Sequence, residues 1–191
     1  KQVREKNEPI DYLTFVPDGE PTLDANLGRE IEPLKSLGIK IAVISNASLI
    51  WRQDVRQDLQ KADWVSLKVD TVSKQIWRRI NRPQKLLKLE GILDGMVKFA
   101  SVFKGELTTE SMLIKGINDD FREIERLADF LSELKPDRAY LAIPIRPPAK
   151  RTVTAASEQS INMAYQVFGK RLSTVEYLIS YEGNAFASTG N

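Results

Sequence analysis

The chain has 191 residues, 28 Lys+Arg against 26 Asp+Glu, and neither Cys nor His. Disulfides, thiolate chemistry, imidazole bases and the usual His- or Cys-ligated metal sites are therefore excluded within these residues, and a metal held by this chain alone would need oxygen ligands. With 42% apolar and 28% charged residues the chain reads as globular, of one domain or slightly more. No apolar run reaches the ~20 residues of a membrane span and no signal peptide is evident, so a cytoplasmic location is expected. The net charge of +2 offers no global argument for nucleic acid. The sequence begins at Lys1 rather than Met, which reads as a fragment, a processed product or a trimmed chain.

In chain order, short β-rich runs occur at Tyr12–Val16, Ile39–Ile44, Trp64–Val69, Ser111–Ile114, Ala139–Ile143 and Val175–Ile179. Several are apolar nearly throughout, as strands buried on both faces are. Helical spacing fills the gaps. Leu27 to Leu37 reads as a helix ending at Gly38, with Pro33 predicting a late start or a kink. Val55, Leu59 and Ala62 suggest a short helix, and Leu86 to Ala100 a longer one. Phe121 to Leu134 starts after Asp119-Asp120 and stops before Pro136; Ile161 to Phe168 is closed by Gly169. This alternation predicts an α/β protein with a mostly parallel sheet. The expected division is a core over residues 1–150 and a helix-strand extension over 151–191, with soft segments at Lys1–Pro9 and Pro147–Ala156.

Polar residues collect after the strands: Pro17-Asp18-Gly19-Glu20-Pro21-Thr22, Ser45-Asn46-Ala47-Ser48, Lys68-Val69-Asp70-Thr71, Lys115-Gly116-Ile117-Asn118-Asp119-Asp120, Pro144-Ile145-Arg146 and Ser180-Tyr181-Glu182-Gly183-Asn184. In parallel α/β folds the strand C-termini share one ligand-binding rim. The competing explanation is that βα loops need polar turn and cap residues anyway. No phosphate-binding glycine fingerprint occurs.

The segment Asp11-Tyr12-Leu13-Thr14-Phe15-Val16-Pro17-Asp18-Gly19-Glu20-Pro21-Thr22-Leu23 resembles the second strand and loop of the radical S-adenosylmethionine (SAM) superfamily, in the Gly-Glu-Pro-Thr-Leu subgroup of iron-sulfur oxidoreductases. Ile44–Leu49, Ser66–Asp70, Asn81-Arg82-Pro83, Gly91–Gly95 and Met112–Asp119 resemble its later segments in order. The resemblance implies an incomplete parallel (β/α)6 partial TIM barrel. It also implies SAM contacts at Gly19, Glu20, Thr22, Ser45, Asn46, Lys68, Asp70, Gly116 and Asn118: Glu20 and Thr22 toward the ammonium, Lys68 toward the carboxylate, Asp70, Ser45 or Asn46 toward the ribose, and Gly116 beside the adenine. Plainer rivals stand beside these: Thr22 or Asp24 as an N-cap, Lys68 and Asp70 as an internal pair, Gly116 as a turn.

One departure is large. The superfamily ligates a [4Fe-4S] cluster through Cys-x-x-x-Cys-x-x-Cys after its first strand, and this chain has no Cys. The resemblance therefore implies that strand one and the cluster loop lie upstream, that the parent cleaves SAM reductively to a 5′-deoxyadenosyl radical, and that this chain alone is inactive in that cleavage. Two alternatives remain: another (β/α)-barrel enzyme using Glu20, Lys68, Asp70 and Asp119, with Mg²⁺ as a candidate metal, and a non-catalytic binding remnant. Two basic stretches, Arg78–Lys85 and Arg146–Arg151, leave RNA or another anionic substrate open as a partner that net charge does not support. An unpaired edge beside Leu13 and Phe15 predicts self-association or rearrangement there.

Overall fold

The computed structural model describes residues 9–16, 19–144 and 153–178. Pro17-Asp18, the basic stretch Arg146–Arg151 and the segment Tyr181–Asn184 lie outside the described residues. Six strands form one sheet: β1 (Tyr12–Phe15), β2 (Lys40–Ser45), β3 (Trp64–Lys68), β4 (Glu106–Met112), β5 (Arg138–Ala142) and β6 (Val175–Leu178). Their spatial order is their sequence order, and every pair is parallel. The helices between them are α1 (Leu27–Lys35), α2 (Gln53–Leu59), α3 (Lys74–Ile80), α4 (Leu89–Ala100), α5 (Phe121–Leu134) and α6 (Glu158–Gly169).

Strand register sorts the side chains by period two. Val43, Val65, Leu67, Leu107, Ala139 and Leu141 join Ile31, Leu59, Met96, Phe99, Leu127, Leu131 and Phe168 of the helices in one hydrophobic core. The opposite face is polar. Cα partners align Ile44, Ser66, Thr108 and Arg138 in one row, and Lys68, Glu110, Tyr140 and Glu176 in the next. All six helices bury side chains in this one core, so among the described residues the polar rows face away from the helices, as on the inner wall of an open barrel.

Strand starts are held by a recurring clamp. Asp63, just before β3, accepts the Ile41 amide at 2.7 Å and donates its own amide to the Ile41 carbonyl at 2.9 Å. Asp137, just before β5, treats Leu107 the same way, at 2.8 Å in both directions. Each carboxylate satisfies a backbone donor that the parallel ladder leaves over at its lower edge.

The structure departs from the sequence expectations in three elements. β4 starts at Glu106 and ends at Met112, where Ser111–Ile114 is expected. Its buried Thr108, Thr109 and Ser111 hide it from an apolar pattern; the Ser111 hydroxyl donates to the Val69 carbonyl at 2.7 Å, so burial leaves that hydroxyl satisfied. α3 is an unpredicted helix whose Arg-rich surface masks Ile76, Trp77 and Ile80. α1 starts at Leu27, not late, and Pro33 sits so near its C-terminus that little of the helical hydrogen-bond ladder is lost. Elsewhere the caps follow the reading: Asp120 accepts the Arg122 and Glu123 amides, and Gly38 ends the turn after α1 with φ 69°. Residues 154–156 run back across the end of β4, with Lys115 donating to Thr154 at 3.0 Å, and β6 extends the sheet beyond β5.

Candidate active-site rim

The C-terminal ends of β1, β2, β3 and β4 meet on one rim. After β1 the chain makes a 3₁₀ turn at Pro21–Leu23 with Glu20 as its N-cap. The Glu20 carboxylate is buried and takes four donors: Oε1 accepts the Thr22 amide at 3.2 Å, the Thr22 hydroxyl at 2.7 Å and the Ser45 hydroxyl at 2.6 Å, while Oε2 accepts the Asn46 amide at 2.6 Å. Glu20 therefore welds the β1 loop to the end of β2. Oε1 is saturated, and Oε2 retains acceptor capacity.

Asp70, after β3, organises a second group. Its Oδ1 accepts the Met112 amide at 2.9 Å and lies 3.1 Å from the Lys68 ammonium; its Oδ2 accepts Asn81 Nδ2 at 3.2 Å. Asn118 is fully consumed. Its Nδ2 donates to the Asp70 and Met112 carbonyls at 2.8 and 2.9 Å, and its Oδ1 accepts the Ile114 amide at 2.8 Å. Lys68 lies 3.7 Å from Glu110 as well. Burial pushes the Lys68 ammonium toward neutrality, but the attractions of Asp70 and Glu110 together outweigh it and raise the pKa.

Two cavities open on this rim. The smaller, of about 180 Å³, is lined by Val16, Gly19, Glu20, Ile44, Ser45, Asn46, Ser66, Lys68 and Glu110. The larger, of about 460 Å³, lies behind it toward α3 and α4 and shares Asn46 and Lys68 as a common wall. Of the nine residues named from the sequence, Gly19, Glu20, Ser45, Asn46 and Lys68 line the small cavity, and Asp70 lines the larger with Asn46 and Lys68. Thr22 reaches the site only by donating to Glu20. Asn118 braces Asp70 from behind, and Gly116 stands apart in an exposed turn with φ 66°, its amide donating to Asp119 at 2.7 Å. Glu110 is the addition that sequence reading does not single out, and Ser66, quoted from the sequence only within the segment Ser66–Asp70, joins it on the cavity wall. Period-two alternation from Met112 back along β4, and from Lys68 along β3, would have found them.

Comparison with known proteins decides the family. The model of the radical SAM superfamily matches residues 1–131. The chain belongs to the radical SAM superfamily. It is 46% identical to the UPF0026 protein MJ1312 of Methanocaldococcus jannaschii over 97% of this chain and 58% of that protein. It is 34% identical to a UPF0026 protein of Helicobacter pylori over 73% of this chain and 46% of that protein. This radical SAM chain thus spans about half the length of these curated relatives.

Among solved structures, a domain of pyruvate-formate lyase-activating enzyme from Bacteroides vulgatus superimposes with a TM-score of 0.71 at 20% identity, covering 86% of this chain and 97% of that one. TYW1 with a lysine-pyruvate adduct gives 0.68 at 21% identity, covering 89% and 53%. These likenesses show the fold, the open parallel partial barrel of radical SAM proteins.

The superfamily's cofactors are SAM and a [4Fe-4S] cluster. The cluster does not fit this chain, which offers it no thiolate. The chemistry of the small cavity suits the amino-acid end of SAM: its lining includes the carboxylates of Glu20 and Glu110 and the ammonium of Lys68. Among the described residues, no helix is long and apolar enough to cross a membrane.

Proposed function

We propose that this chain is the SAM-binding part of a radical SAM enzyme whose cluster ligands lie outside these 191 residues. The observation that carries this reading is the small cavity at the strand C-termini, where opposite charges face each other around Glu20, Lys68 and Glu110. Glu20 Oε2 accepts from the ligand ammonium, and Lys68, already protonated between Asp70 and Glu110, donates to its carboxylate. Asn46 and Ser66 add neutral groups for hydroxyls. When bound beside a reduced cluster, SAM supplies a 5′-deoxyadenosyl radical; the residues here hold and orient it and shield one wall from water. A cytoplasmic setting accords with a reductively driven reaction of this kind.

The test has two arms. The full-length parent is reconstituted anaerobically with iron and sulfide, reduced, and assayed for 5′-deoxyadenosine; production is expected. The 191-residue chain is treated identically and is expected to bind SAM in equilibrium dialysis yet form no 5′-deoxyadenosine. Cleavage by the Cys-free chain, or no SAM binding by either form, would overturn the reading.

A further inference from the structure

The larger cavity adjoins the small one, where the amino-acid end of SAM is placed, and shares only Asn46 and Lys68 with it. Its inner wall is apolar and buried: Val69, Trp77, Leu89, Ile92 and Met96. Its mouth is made by Asn46, Ser48, Asn81, Arg82 and Gln84. At about 460 Å³ it falls within the size range of small-molecule sites.

The mouth is electrostatically one-sided. Among the described residues its sole lining carboxylate, Asp70, is already engaged by Met112, Lys68 and Asn81. Among the described residues the Arg82 guanidinium, Asn46 Nδ2 and Gln84 Nε2 are donors without a partner, the amide oxygens of Asn46 and Gln84 being taken by the Ser48 and Leu86 amides, and the Ser48 hydroxyl can donate or accept. From position 74 to 88 the chain carries Lys74, Arg78, Arg79, Arg82, Lys85 and Lys88 with no intervening acid. SAM bears a net positive charge at neutral pH, which makes it a poor match.

Arg82 is also conformationally marked. Its φ is 44°, in the left-handed region that disfavours residues with a Cβ, and it precedes Pro83, a context that favours extended backbone. A residue held so against two local preferences, with its charge unspent at the mouth of a cavity, is what a ligand clamp requires.

We propose that this cavity binds a small anionic molecule with a flat apolar body. The body lies against Trp77 and the α4 wall, and its carboxylate or phosphate is held by Arg82 with Ser48 and Gln84. A guanidinium binds either oxyanion in bidentate fashion.

The test titrates the full chain with 2-naphthoate, 2-naphthyl phosphate, neutral 2-naphthol and cationic 2-naphthylmethylammonium, following the Trp77 indole and Arg82 Nε signals by NMR. Both anions should shift these signals and bind about tenfold more tightly than 2-naphthol, with the cation weaker still. The stronger anion identifies the preferred head group. Arg82→Gly should lower anion affinity to the 2-naphthol level while raising the melting temperature, because glycine accepts the left-handed backbone. Loss of affinity with gain of stability separates a ligand clamp from a structural residue. Equal binding of anion and cation, shifts remote from Trp77, or unchanged anion affinity in Arg82→Gly would overturn the proposal. SAM dialysis of the same variant should be unchanged, so failure here leaves the SAM reading standing.

Discussion

Lys68 places its ammonium 3.1 Å from the Asp70 carboxylate, whose side chain is wholly shut away from water. The pair is a bridge between β3 and its neighbour, since Asp70 also takes the Met112 amide and Lys68 also faces Glu110. Asp70→Ala should remove three interactions and leave the Met112 amide without a partner. We expect a loss of about 2–3 kcal/mol, less than for a fully enclosed pair because Lys68 keeps 28% of its side-chain exposure. Chemical denaturation at neutral pH measures it.

The same pair sets an alkaline limit. The folded pKa of Lys68 is raised above its ordinary 10.5, burial opposing and the two carboxylates prevailing. Its contribution is therefore fully present below pH 10.5 and is lost as pH rises through the folded value. Lys68→Met should remove that part of the alkaline stability loss. Unfolding curves of both forms from pH 8 to 12 check this, and parallel pH profiles would refute it.

Glu20→Gln tests the weld between β1 and β2. The amide oxygen can keep the three donors now on Oε1, which forces the NH₂ against the Asn46 amide that now sits 2.6 Å from Oε2. Two donors face each other there, so about 2 kcal/mol should be lost. Faster hydrogen exchange at the Asn46 amide is the specific signature, because Ser45 and Thr22 remain satisfied.

Much of this was legible in the sequence, for a physical reason in each case. β2, β3 and β5 carry apolar side chains at every core-facing position, Ile41 and Val43, Val65 and Leu67, Ala139 and Leu141, and α5 announces itself by Asp120 and a clean period. β4 was misplaced because its buried hydroxyls resemble a loop until a neighbouring carbonyl is seen to accept one. α3 is hidden in the sequence because its Arg-rich surface masks Ile76, Trp77 and Ile80; in the fold the Ser73 hydroxyl donates to Glu123 at 2.6 Å rather than capping the helix. At the site, the rim positions of Glu20, Asn46 and Lys68 followed from strand ends, but their remaining valences did not. Sequence shows a hydroxyl at Thr22 and an amide at Asn118; only the fold shows that both are spent inside the protein.

Two glycines of α4 should respond oppositely to alanine. A Cβ at Gly95 would lie 2.6 Å from the Ile50 carbonyl oxygen and 2.8 Å from the Trp51 Cα, both backbone atoms. Gly95→Ala must push α4 off the loop that walls the larger cavity, costing about 1–3 kcal/mol. At Gly91 the nearest atom is the Trp51 Cβ at 3.9 Å, an ordinary contact. Gly91→Ala should instead gain up to about 1 kcal/mol from helix propensity. Thermal melts of the two variants give the contrast, and a gain in both would mean that α4 packs less closely than described.

Asn118 offers a sharper test, because its two ends have opposite roles. Asn118→Ala leaves the Ile114 amide and the Asp70 and Met112 carbonyls unpaired, for a loss of about 3 kcal/mol. Asn118→Asp restores an acceptor for Ile114 but turns its second oxygen on two carbonyls. At pH 7 it should therefore be less stable than the alanine variant. Protonation converts that oxygen into a donor, so the new carboxyl has a folded pKa raised above its unfolded value of about 3.9. Its repair is complete below that value and is lost as pH rises through the folded pKa. Asn118→Asp should thus gain on Asn118→Ala as the solution is acidified. A stability gap that stays constant from pH 7 to pH 4 would show that Asn118 does not donate to those carbonyls.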